Sequence, residues 1–198
     1  MFLPGIILGL TVHEYCHALV AHWCGDNTSK DQGRVTLNPL KHIDPLGFIM
    51  LLVAGFGWAK PVQFNESNLR NPKTDVLKIA LAGPLSNAIT AMILSLILVL
   101  TMPVFSDSIV KDIFVWAIFI NWGLFVFNLI PLPPLDGSHL LLYPLRRFPA
   151  VYEGLYKYGS FLLFGILIIS SITKSNFIPI GPLLQFLTAG FLNLIGYI

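Results

Sequence analysis

The chain has 198 residues, of which 55% are hydrophobic and 11% charged, with a mean hydropathy of +0.75. Soluble domains run near a quarter charged, so this composition excludes an ordinary water-soluble globule and indicates an all-α polytopic membrane protein. The net charge of +2 comes with no basic cluster, which argues against nucleic acid as a partner, and two cysteines, Cys16 and Cys24, make no disulfide framework.

The first apolar segment, Phe2 to Trp23, is long enough to cross a bilayer core of ~30 Å, which takes about 20 residues. It carries no Lys or Arg ahead of its apolar run, so it does not read as a cleaved leader. It is expected to stay in the mature protein, with no helix and no PDZ domain before it. Inside it lies His13-Glu14-Tyr15-Cys16-His17, an H-E-x-x-H pattern that shuffling this composition yields only about 0.002 times. Residues four apart share a helix face, so His13 and His17 reach one metal ion. Glu14 is placed to take a proton from a water at that metal, the zinc-hydrolase arrangement. The plainer alternative, two histidines packed in a helix core, fits poorly with the apolar flanks, because ionisable clusters in such segments are costly. Cys16 reads as a small thiol filling space.

A polar stretch, Gly25 to Asp44, follows, in which Gly33 to Pro39 predicts a short strand ended by a turn. The apolar run Phe48 to Phe56 is too short to span and predicts a re-entrant or interfacial segment covered by protein. Trp58 to Asn65 is extended in character, with Pro61 blocking a helix. A second span is expected from Ala80 to Leu100, kinked or broken early by Gly83-Pro84. A third, Ile113 to Ile130, ends in Pro131-Leu132-Pro133-Pro134-Leu135-Asp136-Gly137, where the prolines leave carbonyls without helical partners. Two more are expected at about Gly159 to Ile172 and Phe177 to Ile198, the last with Pro179 and Pro182 in its first turns, giving about five in a single membrane-embedded domain over residues 1–198, its core at about 2–142 and additional helices at about 155–198.

Charge parity tests this layout. Lys and Arg number seven from Gly25 to Lys78, one from Thr101 to Lys111, three from Tyr143 to Lys157, and one at Lys174. If Phe48 to Phe56 does not cross, rich and poor loops alternate. The positive-inside rule then puts Gly25 to Asp75 and Tyr143 to Lys157 in the cytosol, the N-terminus outside and the C-terminus inside. His13 and His17 fall in the cytosolic half of the first span.

A catalytic zinc takes about three protein ligands and keeps a position for water. Candidates for the third are Asp136, His139, His42, His22 and Asp44. Asp136 stands first, since a carboxylate beside a proline-broken span needs a cation. The competing role for Asp136 is N-cap of a helix from Ser138 to Leu145.

Together, His-Glu-Tyr-Cys-His at 13–17, Ala82-Gly83-Pro84-Leu85-Ser86-Asn87 and Asn128-Leu129-Ile130-Pro131-Leu132-Pro133-Pro134-Leu135-Asp136-Gly137 resemble the site-2 protease family of intramembrane zinc metalloproteases. Gly33 to Pro45 and Gly57 to Val62 resemble its compact prokaryotic branch. The resemblance implies His13, His17 and Asp136 as ligands of one Zn²⁺ and Glu14 as general base. It also implies that Asn87 and Asn128 line the site, holding substrate or the oxyanion; the alternative is that they tie helices together. It further implies cleavage of transmembrane protein substrates in the plasma or inner membrane, with the active site nearer the cytosol. Rival expectations are a non-cleaving scaffold of the same fold, disfavoured by the presence of Glu14, and a metal transporter. The transporter is disfavoured because the last two segments carry no acidic residue or histidine to line a path.

Overall fold

The structure is a computed structural model describing residues 1–54, 57–101, 108–173 and 180–194. Eight helices occupy the described residues: α1 (Leu3–Trp23), α2 (Thr28–Asp31), α3 (Pro45–Ala54), α4 (Pro72–Thr101), α5 (Ser108–Asn128), α6 (Ser138–Leu145), α7 (Pro149–Thr173) and α8 (Ile180–Leu194). Leu3–Trp23, Pro72–Thr101 and Ile109–Asn128 are long and apolar enough to cross a membrane. The two further expected spans fall where α7, with 25 residues, and α8, with 15, are found, outside that group. Gly55, Phe56, Lys174 and Pro179 lie outside the described residues.

α1, α4 and α5 pack against one another as a three-helix centre, and α8 rests on α5 and α4. In lipid the hydrophobic effect does not drive helices together, so association needs close packing and internal polar contacts. Gly5 and Gly9 supply the first on α1. A Cβ on Gly5 would stand 2.7 Å from the Ala117 Cα, and one on Gly9 2.7 Å from a Leu124 methyl. On the other side of the centre, Ala88, Ala91, Leu98, Ile118, Trp122, Leu184 and Leu192 form a buried cluster.

One expectation fails, and of the kink or break expected at Gly83-Pro84 the break is not found. The predicted strand over Gly33 to Pro39 is not formed: the segment has bends and a 3-10 turn at Pro39–Lys41, capped by the Asn38 side chain accepting from the Leu40 N–H. Among the described residues the β pairing is a single antiparallel bridge, Ile43 with Ala59. Asn38-Pro39 favours a capped turn over a ladder, which outweighs the β-branched Val35 and Thr36. Nor does Gly83-Pro84 break the second span, since α4 runs 30 residues through Pro84. The proline removes the N–H that would bond the Ala80 carbonyl, but Pro84 is fully buried against neighbours that hold the helix together.

α1 ends where Gly25 takes φ +110° and the Asp26 N–H reaches back to the Ala21 carbonyl at 3.0 Å. Asp26, fully buried, gathers the polar segment that follows. Its carboxylate accepts from the Thr28 N–H and hydroxyl, the Asn68 amide and the Asn65 N–H at 2.6–3.2 Å. Burial pushes this carboxyl's pKa up, yet these donors hold it below the usual carboxylate range. Asp26 thereby ties Asn65 and Asn68 to the end of α1. At the far side, Arg146 and Glu66 form a two-pronged ion pair at 2.6 and 2.9 Å.

Replacing Gly5 by Val is expected to cost about 1–3 kcal/mol through overpacking against Ala117. Gly165→Ala, whose Cβ meets nothing within 4 Å, should be neutral or stabilising. Thermal unfolding of the two variants in detergent checks the difference.

Candidate metal centre

The one-turn spacing places His13 and His17 edge to face, ring centroids 4.6 Å apart, with their Nε2 atoms 3.0 Å from each other. Asp136 arrives from the opposite side. The prolines end α5, and the Gly137 N–H turns back to the Asn128 carbonyl at 2.6 Å. Only glycine fits there, since a Cβ on Gly137 would lie 2.3 Å from the Leu129 oxygen. The turn leaves Asp136 Oδ2 at 3.0 Å from His13 Nε2 and 3.4 Å from His17 Nε2. Asp136 does not cap α6: Gly137 holds the N-cap position and no side chain bonds the first turn.

None of the other four third-ligand candidates joins the triad, and three of them lie elsewhere. His42 Nε2–H donates to the Thr36 carbonyl, His22 pairs with Asn27 and Lys30, and Asp44 accepts the Gly47 N–H at the start of α3. His139 lines the same cavity as the triad, its ring 6.4 Å from that of Phe64, and burial pushes its pKa down.

Whether these residues fit a metal is decided by their hydrogen bonds. His17 Nδ1–H donates to the Ile79 carbonyl at 2.7 Å, and His13 Nδ1 lies 2.7 Å from the Asn87 carbonyl oxygen. Each imidazole thus spends its proton on the outer nitrogen and turns an Nε2 lone pair inward. Asp136 Oδ2 is buried with no hydrogen-bond partner. Three acceptors facing one point repel unless a cation lies between them. Tetrahedral ligation at ~2.0–2.1 Å sets neighbouring donors about 3.3 Å apart, and the three here stand 3.0–3.4 Å apart. The donor set, two imidazoles and a carboxylate, is one that catalytic zinc takes. Space is left for the group by Gly83 on α4, where a Cβ would lie 2.3 Å from His17 Nε2 and 2.6 Å from His13 Nε2.

Glu14 stands beside the triad without joining it. Its Oε2 accepts the Val62 N–H at 2.9 Å, with the buried Arg34 guanidinium 3.9 Å away. Arg34 is held in turn by the Lys60 carbonyl. Glu14, the three donors and residues of the extended 57–64 segment line one cavity of about 690 Å³. Asn128 is on its wall, its amide donating to the Leu124 carbonyl at 3.0 Å. Asn87 is not on the wall. It is fully buried, and its two N–H groups go to the Gly9 carbonyl and Asn121 at 2.9 and 3.0 Å, which leaves no donor for an oxyanion. The sequence reading missed Asn121, although an amide midway along an apolar span is a signal in itself. Arg34, inside a motif stretch, was likewise missed, and Gly83 was read only as part of a helix-interrupting pair.

Fold and site define a membrane protein built around an H-E-x-x-H helix and a distant carboxylate. Residues 103–169 match the model of peptidase family M50. The chain is 45% identical over 143 residues to the Bacillus subtilis protein named "Putative zinc metalloprotease YwhC", covering 69% of this chain and 65% of that one. Proteins of the same description include Rip2 of Mycolicibacterium smegmatis (29% over 144 residues, 69% of this chain, 54% of the relative) and MJ0611 of Methanocaldococcus jannaschii (34% over 97 residues, 48% and 49%). No solved structure matches. The chain is thus similar to peptidase family M50, the site-2 protease family, over residues 103–169, and zinc is the ion that its relatives' names carry. Its matches span less than two thirds of these relatives' own lengths.

Gly83→Ala is expected to push both imidazoles off their positions and weaken zinc binding by at least about tenfold. Chelator competition on the purified protein measures it, with helical content by circular dichroism unchanged.

Proposed function

We propose that the chain is an intramembrane zinc metalloprotease that hydrolyses peptide bonds in or near transmembrane segments of membrane protein substrates. One observation carries this: three inward-facing acceptors, His13, His17 and Asp136, share a cavity with a carboxylate, Glu14, that none of them uses. His13, His17 and Asp136 would hold the ion. Bound there, zinc supplies an activated water and polarises the scissile carbonyl. Glu14 takes the proton from the attacking water and hands it to the leaving amine. The Val62 N–H and Arg34 fix one end of that carboxylate, so its other oxygen is free to face the cavity.

A substrate helix has its carbonyls tied up in its own hydrogen bonds and has to open before water attacks. Extended backbone in a lipid setting needs new partners. The 57–64 and 131–135 stretches are non-helical and border the cavity, offering strand-like pairing to an opened segment. Substrates are therefore expected to carry Gly, Pro or Asn near the cut. The loop charges support a site near the cytosolic face of the cell membrane.

The test is a paired one. Glu14→Ala should bind zinc as the wild type does and lose cleavage by about 10²-fold or more of a membrane-embedded substrate captured with that variant. Asp136→Ala should lose zinc and cleavage together. Zinc bound normally by Asp136→Ala removes Asp136 from the ligand set. Cleavage surviving in Glu14→Ala removes the base. A zinc-loaded wild type that binds captured proteins without cutting any would be the scaffold instead.

A further inference from the structure

A buried chain of side-chain amides runs from α5 through α4 to the ligand His13, and backbone carbonyls dictate its direction. The Ala117 carbonyl can only accept, so the Asn121 atom 2.8 Å from it is the NH₂ group. Asn121 therefore turns its oxygen toward Asn87, 3.0 Å away. That oxygen also only accepts, so Asn87 meets it with NH₂, whose other N–H reaches the Gly9 carbonyl at 2.9 Å. Asn87 is left to present oxygen to His13 Nδ1 at 2.7 Å. The His13 proton then sits on Nδ1, and the Nε2 lone pair faces Asp136. Both asparagines have 0% exposure, so no water substitutes for either.

We infer that Asn121 is a positioning residue for the metal centre, which through Asn87 holds the His13 ring in its Nδ1–H form with Nε2 turned to the ion. This rests on the reading of His13 as a zinc ligand. Asn121 touches neither the ion site nor the cavity. A contact that only glued α5 to α4 would act on the stability of the bundle whatever residue stood at 87. A relay acts only while Asn87 is there to pass the orientation on.

The experiment is a cycle of zinc affinities on the full chain in detergent, by chelator competition, for Asn121→Leu, Asn87→Leu and the double variant. Asn121→Leu should weaken zinc binding by about tenfold. The double variant should bind zinc no more weakly than Asn87→Leu alone. Unchanged affinity in Asn121→Leu, or losses that multiply in the double variant, overturns the inference. Histidine ¹⁵N NMR of the metal-free wild type decides it without any variant: a proton on His13 Nδ1 supports the relay, and a proton on Nε2 overturns it. A His13→Ala control separates the two readings. Zinc affinity untouched there overturns the ligand assignment and the relay with it. Affinity lost there but unaltered in Asn121→Leu overturns the relay alone.

Discussion

Two imidazole nitrogens and a carboxylate oxygen are held within 3.4 Å of one another inside a helix bundle, and much of the architecture serves to keep them there. Left alone, such a cluster would swing apart, since each lone pair would find a donor elsewhere at lower cost. Helical periodicity fixes two of them on one face of α1. The Ile79 carbonyl and Asn87, both on α4, lock the outer nitrogens of the rings. The proline-broken end of α5 brings the carboxylate in from the other side. The bare backbone of Gly83 lets α4 lie directly against both imidazoles.

The same economy governs the other buried polar groups. Asp26 is surrounded by donors, and Arg34 lies between Glu14 and the Lys60 carbonyl. These two residues fasten the polar segment between α1 and α4 over the cavity. That segment is irregular because its backbone groups answer to side chains and not to a neighbouring strand. The Val62 N–H goes to Glu14, the Asn65 N–H to Asp26, and the Gln63 carbonyl to Ser29. Loop and Glu14 are therefore one unit: displacing the loop frees the carboxylate, and losing that carboxylate strands a backbone donor.

Much of this was legible in the sequence. The bounds of α1 were expected to within a residue, because its apolar run ends at Cys24-Gly25, and the H-E-x-x-H spacing determines a shared face whatever the tertiary fold. Asp136 stood first among the third-ligand candidates because a carboxylate beside a proline-broken span needs a cation, with the N-cap of a helix from Ser138 as its competing role. What escaped notice depends on packing. Pro84 signals a break in isolation, but in a bundle the neighbours carry the helix across it. Val35 and Thr36 suggest a strand, but Asp26 and Asn38 claim the surrounding chain for turns. For Asn87 the sequence left lining the site and tying helices together both open, because its partners, Gly9 and Asn121, are 78 and 34 positions away and invisible to any local pattern.

One more consequence comes from where the three donors lie along the chain. The histidines are at its beginning and the carboxylate more than a hundred residues later, on opposite sides of α4. No short stretch emerging from synthesis holds the complete set, so a nascent chain offers an ion at most two imidazoles. An ion held by all three would have to wait until α5 had been inserted and docked, and would then close a very long loop. The order of synthesis thus keeps the three donors apart until the helix bundle that surrounds them has been built.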